Sequence, residues 1–136
     1  MMTISYFSID SLVIKNIQDY CTSLFPLQGY GILAGQTHYI THFFPITNLN
    51  TCACSFEFDP RDYIETIKKL RDLQLEWIGI IHSHTLTDAA PSARDLTHWS
   101  YPEKSCWILS LKEVEFNLCA YYIKHGQAIP VIYEIL

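Results

Sequence analysis

The sequence has few charged residues and lacks long apolar runs. Only 17% of its 136 residues are charged, and nine lysines and arginines stand against fourteen aspartates and glutamates, a net charge of −5. Because phosphate backbones are bound through a basic surface, nucleic acid is not an expected partner. No segment reaches the roughly 18 apolar residues of a membrane span, and the N-terminal stretch lacks a signal-peptide pattern. We therefore expect a cytoplasmic protein that does not bind a membrane.

The number and spacing of the cysteines predict neither a disulfide framework nor a zinc finger. The five cysteines are an odd number and occur without a secretion signal. Cys52 and Cys54 lack a second Cys or His pair at zinc-finger spacing, so we interpret them as buried thiols on or beside a strand. The remaining composition, 49% hydrophobic and 14% aromatic, predicts a single domain over 1–136 with its own core.

The hydrophobic pattern predicts alternating strands and helices. Apolar spacing and caps predict three helices. The first covers 10–25 with Ser8 or Asp10 as its cap, the second starts at Asp59-Pro60, and the third runs from Ser92 to about Trp99. The second of these helices has an expected inner stripe of Tyr63, Ile64, Ile67 and Leu70. Strands are predicted at 3–7, 29–35, 39–45, 54–58, 76–82, 106–111, 116–124 and 129–135. This mixed order predicts an α+β (α/β sandwich) fold with a mixed, largely antiparallel sheet flanked by helices.

Residue types that ligate metals follow the most apolar of these strands. His82 and His84 are two apart, so an extended chain presents both on one face, about 6.5 Å apart, with Ser83 pointing away. Asp95 lies in the first turn of the helix that starts at Ser92, and the intervening loop can fold that turn back over the histidines. Two imidazoles, one carboxylate and one position left for water form the pattern of a catalytic zinc site.

Each part of this pattern also has a simpler interpretation. An H-x-H pair alone is common, and Ser92 with Asp95 alone is a helix-capping box. The combination is more specific, although two histidines and a carboxylate also bind iron in oxygenases, which leaves iron as an alternative to zinc. The other histidines lack such partners and are expected to be ordinary surface or core residues: His38, His42, His98 and His125.

Two segments of the chain resemble the motifs of a known enzyme family. The segment 77–84 (WIGIIHSH), followed by 91–95 (PSARD), resembles the H-x-H, seven residues, S-x-x-D signature of the JAMM (MPN+) zinc metallo-isopeptidases. The segment 26–35 (PLQGYGILAG) resembles the family's P-x-E-x-x-G-L-L-x-G motif. The likeness covers nearly the whole chain and is to small prokaryotic members. It implies a fold similar to that of cytidine deaminases, with a mixed sheet between helices and zinc at one edge.

The resemblance also implies roles for individual residues. His82, His84 and Asp95 would bind Zn²⁺, and Ser92 would hydrogen-bond the attacking water or the oxyanion. The implied reaction is cleavage of a peptide or isopeptide bond after the C-terminal tail of a ubiquitin-like or sulfur-carrier protein, by metal-activated water attack. A nucleic-acid deaminase is disfavoured because no H-x-E or P-C-x-x-C element is present.

Gln28 stands where the family's upstream motif has a glutamate. A carboxylate can take a proton from the attacking water and deliver it to the leaving nitrogen, whereas a carboxamide cannot, and this loss typically costs about 10²–10⁴-fold in rate. Either an active hydrolase was inactivated by an isosteric substitution, which the intact ligand set favours, or the chain is a natural variant that binds without cutting. Glu76, some 20 Å from the first ligand along an extended strand, and Asp88, in the loop, are the other bases considered.

The expected partner is a protein with an extended C-terminal tail. Such a tail binds best by adding a strand to an open sheet edge, and the strand 29–35 and the loop 85–91 are the expected walls of that groove. An alternative function is a non-catalytic JAMM-like module that binds a ubiquitin-like protein. An edge strand or an aromatic patch also leaves a homodimer open.

Overall fold

The computed structural model describes residues 6–48 and 58–136, which form seven strands and three helices. In chain order these are β1 (Tyr6–Ile9), α1 (Ser11–Leu24), β2 (Tyr30–Gln36), β3 (Tyr39–Pro45), α2 (Pro60–Asp72), β4 (Glu76–His84), α3 (Ala93–His98), β5 (Ser105–Ser110), β6 (Leu118–Lys124) and β7 (Gln127–Ile135). Cys52, Cys54 and most of the predicted strand 54–58 lie outside the described residues. Phe58 forms an isolated antiparallel bridge with Asn48.

The seven strands close into one mixed barrel in the order β1-β3-β2-β4-β5-β6-β7. The pairs β1–β3, β1–β7 and β4–β5 are parallel. The pairs β2–β3, β2–β4, β5–β6 and β6–β7 are antiparallel. The predicted α+β class with a mixed, largely antiparallel sheet and flanking helices is confirmed. The closure itself was not predicted, because it depends on the pairing of β1 with β7, a long-range contact without a local sequence signal.

Several strands are apolar along their whole length because both faces of the sheet are covered. In β2, Leu33 packs in the core that contains α1, whereas its neighbours Ile32 and Ala34 pack under α2. In β5, Trp107 belongs to the α1 core and Ile108 to the core beside α3. Successive side chains of a strand point to opposite faces, so a strand between two layers must be apolar at every position. The prediction of a doubly buried β4 is confirmed, because 78–84 are buried between β2 and β5.

The helices begin where their capping residues predict. The carboxylates of Asp10 and Asp59 accept backbone N–H bonds at the starts of α1 and α2, and Pro60 opens α2. The predicted burial of Ile64 in α2 is wrong: its side chain is 52% exposed, because each residue is rotated by about 100° around the helix axis from the one before, here the partly buried Tyr63. Thr66 is buried in its place. None of the helices in the described ranges has the length and apolar character that a membrane crossing requires.

One end of the barrel gathers the segments that carry the sequence motifs. The antiparallel register sets Tyr30, at the start of β2, opposite His82 near the end of β4. The parallel register sets Ser110, at the end of β5, opposite His84. The loop after β4 then leads to α3, which packs through Leu96 against the β5 side of the barrel. Both motifs therefore lie at the same end of the fold.

Candidate metal centre

The end of β4 brings both histidines of the H-x-H motif into one buried site. His82 is 1% exposed and His84 is 4% exposed. Their Nε2 atoms are 3.2 Å apart, as expected for alternate residues on one face of a strand. Ser83, between them, points the other way and is fully buried. The local prediction for this tripeptide is confirmed.

Asp95 reaches the histidines from the first turn of α3. Its Oδ2 lies 3.2 Å from His84 Nε2, and its Oδ1 lies 3.5 Å from His82 Nε2. The same carboxylate accepts the backbone N–H of Ser92 at 2.9 Å, and Ser92 Oγ accepts the backbone N–H of Asp95 at 3.1 Å. The capping box is therefore present, and it fixes the carboxylate so that it faces the imidazoles.

The three side chains fit a single zinc ion. With zinc bonds of about 2.0–2.1 Å, two ligand atoms of a tetrahedral site are separated by about 3.3 Å. His84 Nε2 lies at about this distance from both His82 Nε2 and Asp95 Oδ2, 3.2 Å in each case, and His82 Nε2 lies 3.5 Å from the other carboxylate oxygen, Asp95 Oδ1. When one ligand atom is taken from each residue, the atoms of His82, His84 and Asp95 all lie within 4.8 Å of one another. The other four histidines belong to no such cluster within 6–48 and 58–136.

The protonation of His84 suits a metal ligand. Its Nδ1 lies 3.0 Å from the backbone carbonyl oxygen of Asp88. Because a carbonyl oxygen can only accept, Nδ1 must carry the proton and donate it. In the neutral ring, Nε2 then carries the lone pair, and it faces His82 Nε2 and an Asp95 oxygen. A lone pair on His84 Nε2 beside the Asp95 carboxylate is stabilised by a proton or a cation between them.

Asp95 stays charged in this site. Burial alone would raise the pKa of its carboxyl group. The neighbouring imidazoles of His82 and His84, together with the Ser92 backbone N–H, oppose burial and hold the pKa of Asp95 well below its ordinary value. The site therefore offers an anionic oxygen at neutral pH, which suits a divalent cation.

Gln28 is connected to the ligand His82 through Tyr30. Its Oε1 accepts the hydroxyl of Tyr30 at 2.6 Å. The Tyr30 ring stacks on the His82 ring, with centroids 5.5 Å apart and an interplanar angle of 10°. Between them in sequence, the Gly29 backbone N–H donates to Ser83 Oγ at 2.8 Å. The structure thus brings the start of β2 against the histidine pair, and the carboxamide oxygen of Gln28 is already used by Tyr30.

Sequence reasoning missed the roles of Tyr30 and Ser83 in this arrangement. Tyr30 had a detectable signal, because it is two residues after Gln28 and shares its face of an extended chain. Ser83 was predicted to point away from the ligands, which is confirmed. That its hydroxyl would accept the Gly29 N–H depends on the β2–β4 register, and the sequence does not reveal this register.

Two other expectations are modified by the structure. The carboxylate of Asp88 is 76% exposed and lies 3.3 Å from Lys112 Nζ, so it faces away from the histidines, and Glu76 is at the opposite end of β4. The strand β2 is paired along its length with β3 on one side and β4 on the other. A tail therefore cannot add as a strand to β2, whose backbone groups are already bonded, and the role of 29–35 as a wall of the tail groove stays a prediction.

Solved structures with this arrangement of elements come from several microorganisms. A solution structure of a protein from Desulfitobacterium hafniense is similar with a TM-score of 0.88 and 23% identity, over 96% of this chain and 92% of that one. A protein from Salinibacter ruber matches with a TM-score of 0.68 and 18% identity, over 94% and 92% of the two chains. A crystal structure of a JAB1/MPN domain protein from Archaeoglobus fulgidus matches with a TM-score of 0.64 and 17% identity, over 96% and 99%. These likenesses concern the fold.

The sequence itself matches a family model. No curated protein sequence matches the chain. The model that describes prokaryotic homologs of the JAB domain matches residues 13–121, which include the upstream motif, both histidines and Asp95. This range covers most of the chain, and it agrees with the JAB1/MPN domain fold found independently among solved structures. The chain belongs to the prokaryotic JAB-domain family.

Proposed function

We propose that the chain is a zinc-dependent peptidase or isopeptidase that cleaves after the C-terminal tail of a ubiquitin-like or sulfur-carrier protein. The observation that carries the proposal is the convergence of His82, His84 and Asp95: the two buried imidazoles have their Nε2 atoms 3.2 Å apart, and each lies 3.2–3.5 Å from an Asp95 carboxylate oxygen. The JAB/MPN family to which the chain belongs includes metal-dependent isopeptidases. A site of two imidazoles and one carboxylate leaves a coordination position for water.

The residues of the site would have different roles in hydrolysis. When bound, zinc would supply a Lewis acid that polarises a carbonyl group and lowers the pKa of a water ligand toward about 7. His82 and His84 would hold the ion through Nε2, and Asp95 would add the negative charge. Ser92, whose Oγ lies at the first turn of α3, would offer its hydroxyl to the oxyanion. A hydroxyl in that position stabilises charge that develops during the reaction.

Gln28 limits the rate of this reaction. A carboxamide can hold a water molecule by hydrogen bonds, but it cannot accept the proton that the attacking water must lose. In addition, its Oε1 already accepts the Tyr30 hydroxyl. General acid–base help is typically worth about 10²–10⁴-fold, so we propose that this chain binds metal and substrate and hydrolyses the bond slowly.

The test restores the missing carboxylate. In Gln28→Glu, with zinc bound, we expect cleavage of a reporter fused after the Gly-Gly terminus of a ubiquitin-like protein to rise by about 10²–10⁴-fold. The matched control is Gln36→Glu, at the far, exposed end of β2, the strand that follows Gln28, and its rate should stay at that of the unsubstituted chain. No gain in the zinc-loaded Gln28→Glu protein would remove the base assignment.

A second candidate function is a module that captures the tail of a ubiquitin-like protein without cutting it. The Gln28–Tyr30 hydrogen bond favours it, because it fixes the carboxamide through its oxygen without using its N–H groups, which suits recognition of a carbonyl oxygen. Isothermal calorimetry separates the two functions. Tight binding without turnover, even in Gln28→Glu, would support the binding module, whereas turnover in that variant would support the peptidase.

A further inference from the structure

The loop between β4 and α3 is fastened to the barrel. Ser110, the last residue of β5, donates its hydroxyl to the Thr87 carbonyl oxygen at 2.6 Å. Tyr121, on β6, donates its hydroxyl to the Ala89 carbonyl oxygen at 2.8 Å. Ala89 is 4% exposed, so the loop turns inward at this point. Two hydroxyls from neighbouring strands thus fix the residues on either side of Asp88.

The residue between these two anchors holds a ligand histidine. The Asp88 carbonyl oxygen accepts His84 Nδ1–H at 3.0 Å. Its carboxylate contacts Lys112 Nζ at 3.3 Å, and the Leu111 backbone N–H donates to the His84 carbonyl oxygen at 2.8 Å. The peptide that orients the His84 ring is therefore held by β5 and β6.

We propose that Ser110 and Tyr121 are positioning residues of the metal centre, which we call the hydroxyl brace. By holding Thr87 and Ala89, the two hydroxyls keep the Asp88 carbonyl in place to fix the tautomer and ring orientation of His84. The inference rests on the zinc site proposed above. Partners that hydrogen-bond a ligating histidine typically contribute about 10–100-fold in metal affinity. The brace does not contact His84 itself but acts through the backbone of the loop, so we expect its effect on zinc affinity to lie near the low end of that range.

Matched variants separate positioning from stability. Tyr121→Phe removes only a hydroxyl, and its control is Tyr133→Phe, which loses an equivalent bond to the Leu118 carbonyl oxygen on β6. Ser110→Ala removes a buried hydroxyl at the end of β5. Its control is Ser105→Ala, at the start of β5, where the buried hydroxyl donates to the Ile78 carbonyl oxygen at 3.0 Å.

Zinc affinity and folding are measured on the same four proteins. We expect about a tenfold higher zinc dissociation constant in Tyr121→Phe and in Ser110→Ala, by competition with a chelating dye, together with a changed absorption spectrum of the cobalt-substituted site. The metal-free melting temperature should fall no further in these two variants than in their controls. Affinities unchanged in the brace variants, or weakened equally in the controls, would overturn the brace while leaving the metal site intact. Absence of zinc binding by the unsubstituted chain would overturn the proposed function and the brace with it.

Discussion

At the scale of single residues, the serine between the two histidines joins β4 to the segment before β2. Ser83 is fully buried. Its Oγ accepts the Gly29 N–H at 2.8 Å, and its own N–H donates to the Gly29 carbonyl oxygen at 3.0 Å. One residue of β4 thus satisfies both backbone groups of the residue that follows Gln28. This pairing holds the segment that carries Gln28, the proposed base position, against the end of β4.

Removal of the Ser83 hydroxyl leaves a buried donor without its acceptor. Because an unsatisfied buried N–H costs about 1–3 kcal/mol, we expect Ser83→Ala to lower the free energy of unfolding by that amount in urea denaturation. The control is Ser100→Ala, which is exposed and makes only a 3.5 Å contact with the His98 carbonyl oxygen. That control should change stability by less than about 0.5 kcal/mol. Equal unfolding midpoints for the two variants would contradict the role assigned to Ser83.

At the scale of elements, the sequence predicts the features that depend on residues close together in the chain, such as helix caps. The expected cap of α1 was Ser8 or Asp10, and the structure selects Asp10. Asp59 predicted the start of α2, and Ser92 with Asp95 predicted the capping box, because a cap involves residues only two or three apart. The bonds that surround the histidines could not be predicted in this way. The hydroxyl of Tyr121 comes from a strand 32 residues beyond the carbonyl it contacts, and only the packing of β6 brings the two together.

The cap of α1 gives an element-scale prediction. Asp10 accepts the Leu12 N–H at 2.9 Å, and loss of such a cap typically costs about 1 kcal/mol. We therefore expect Asp10→Ala to lower the free energy of unfolding by about 1 kcal/mol. Asp19→Ala, which loses only the exposed i,i+4 pair with Lys15, should cost no more than about 0.5 kcal/mol. Thermal denaturation monitored by circular dichroism compares them, and a larger loss for Asp19→Ala would contradict the assignment.

At the scale of the whole molecule, closure of the barrel changes how a partner can bind. The sequence predicted the mixed sheet but left it with an open edge, because the pairing of β1 with β7 joins opposite ends of the chain. The strand β2, which was expected to form one wall of the groove for an extended tail, is paired on both sides. If a ubiquitin-like tail binds, it therefore uses contacts other than strand addition to β2.

The central claim about the whole molecule is that His82, His84 and Asp95, which the fold brings together, bind a single zinc ion. The most direct measurement is the metal content and zinc affinity of the unsubstituted chain, of Asp95→Asn, and of Asp88→Asn as a control that keeps its backbone carbonyl. We predict about one zinc ion per chain in the unsubstituted chain and in Asp88→Asn. In Asp95→Asn, the affinity should fall by more than the roughly 10–100-fold expected for loss of an outer partner. Iron in place of zinc, or equal zinc binding by all three proteins, would contradict the account.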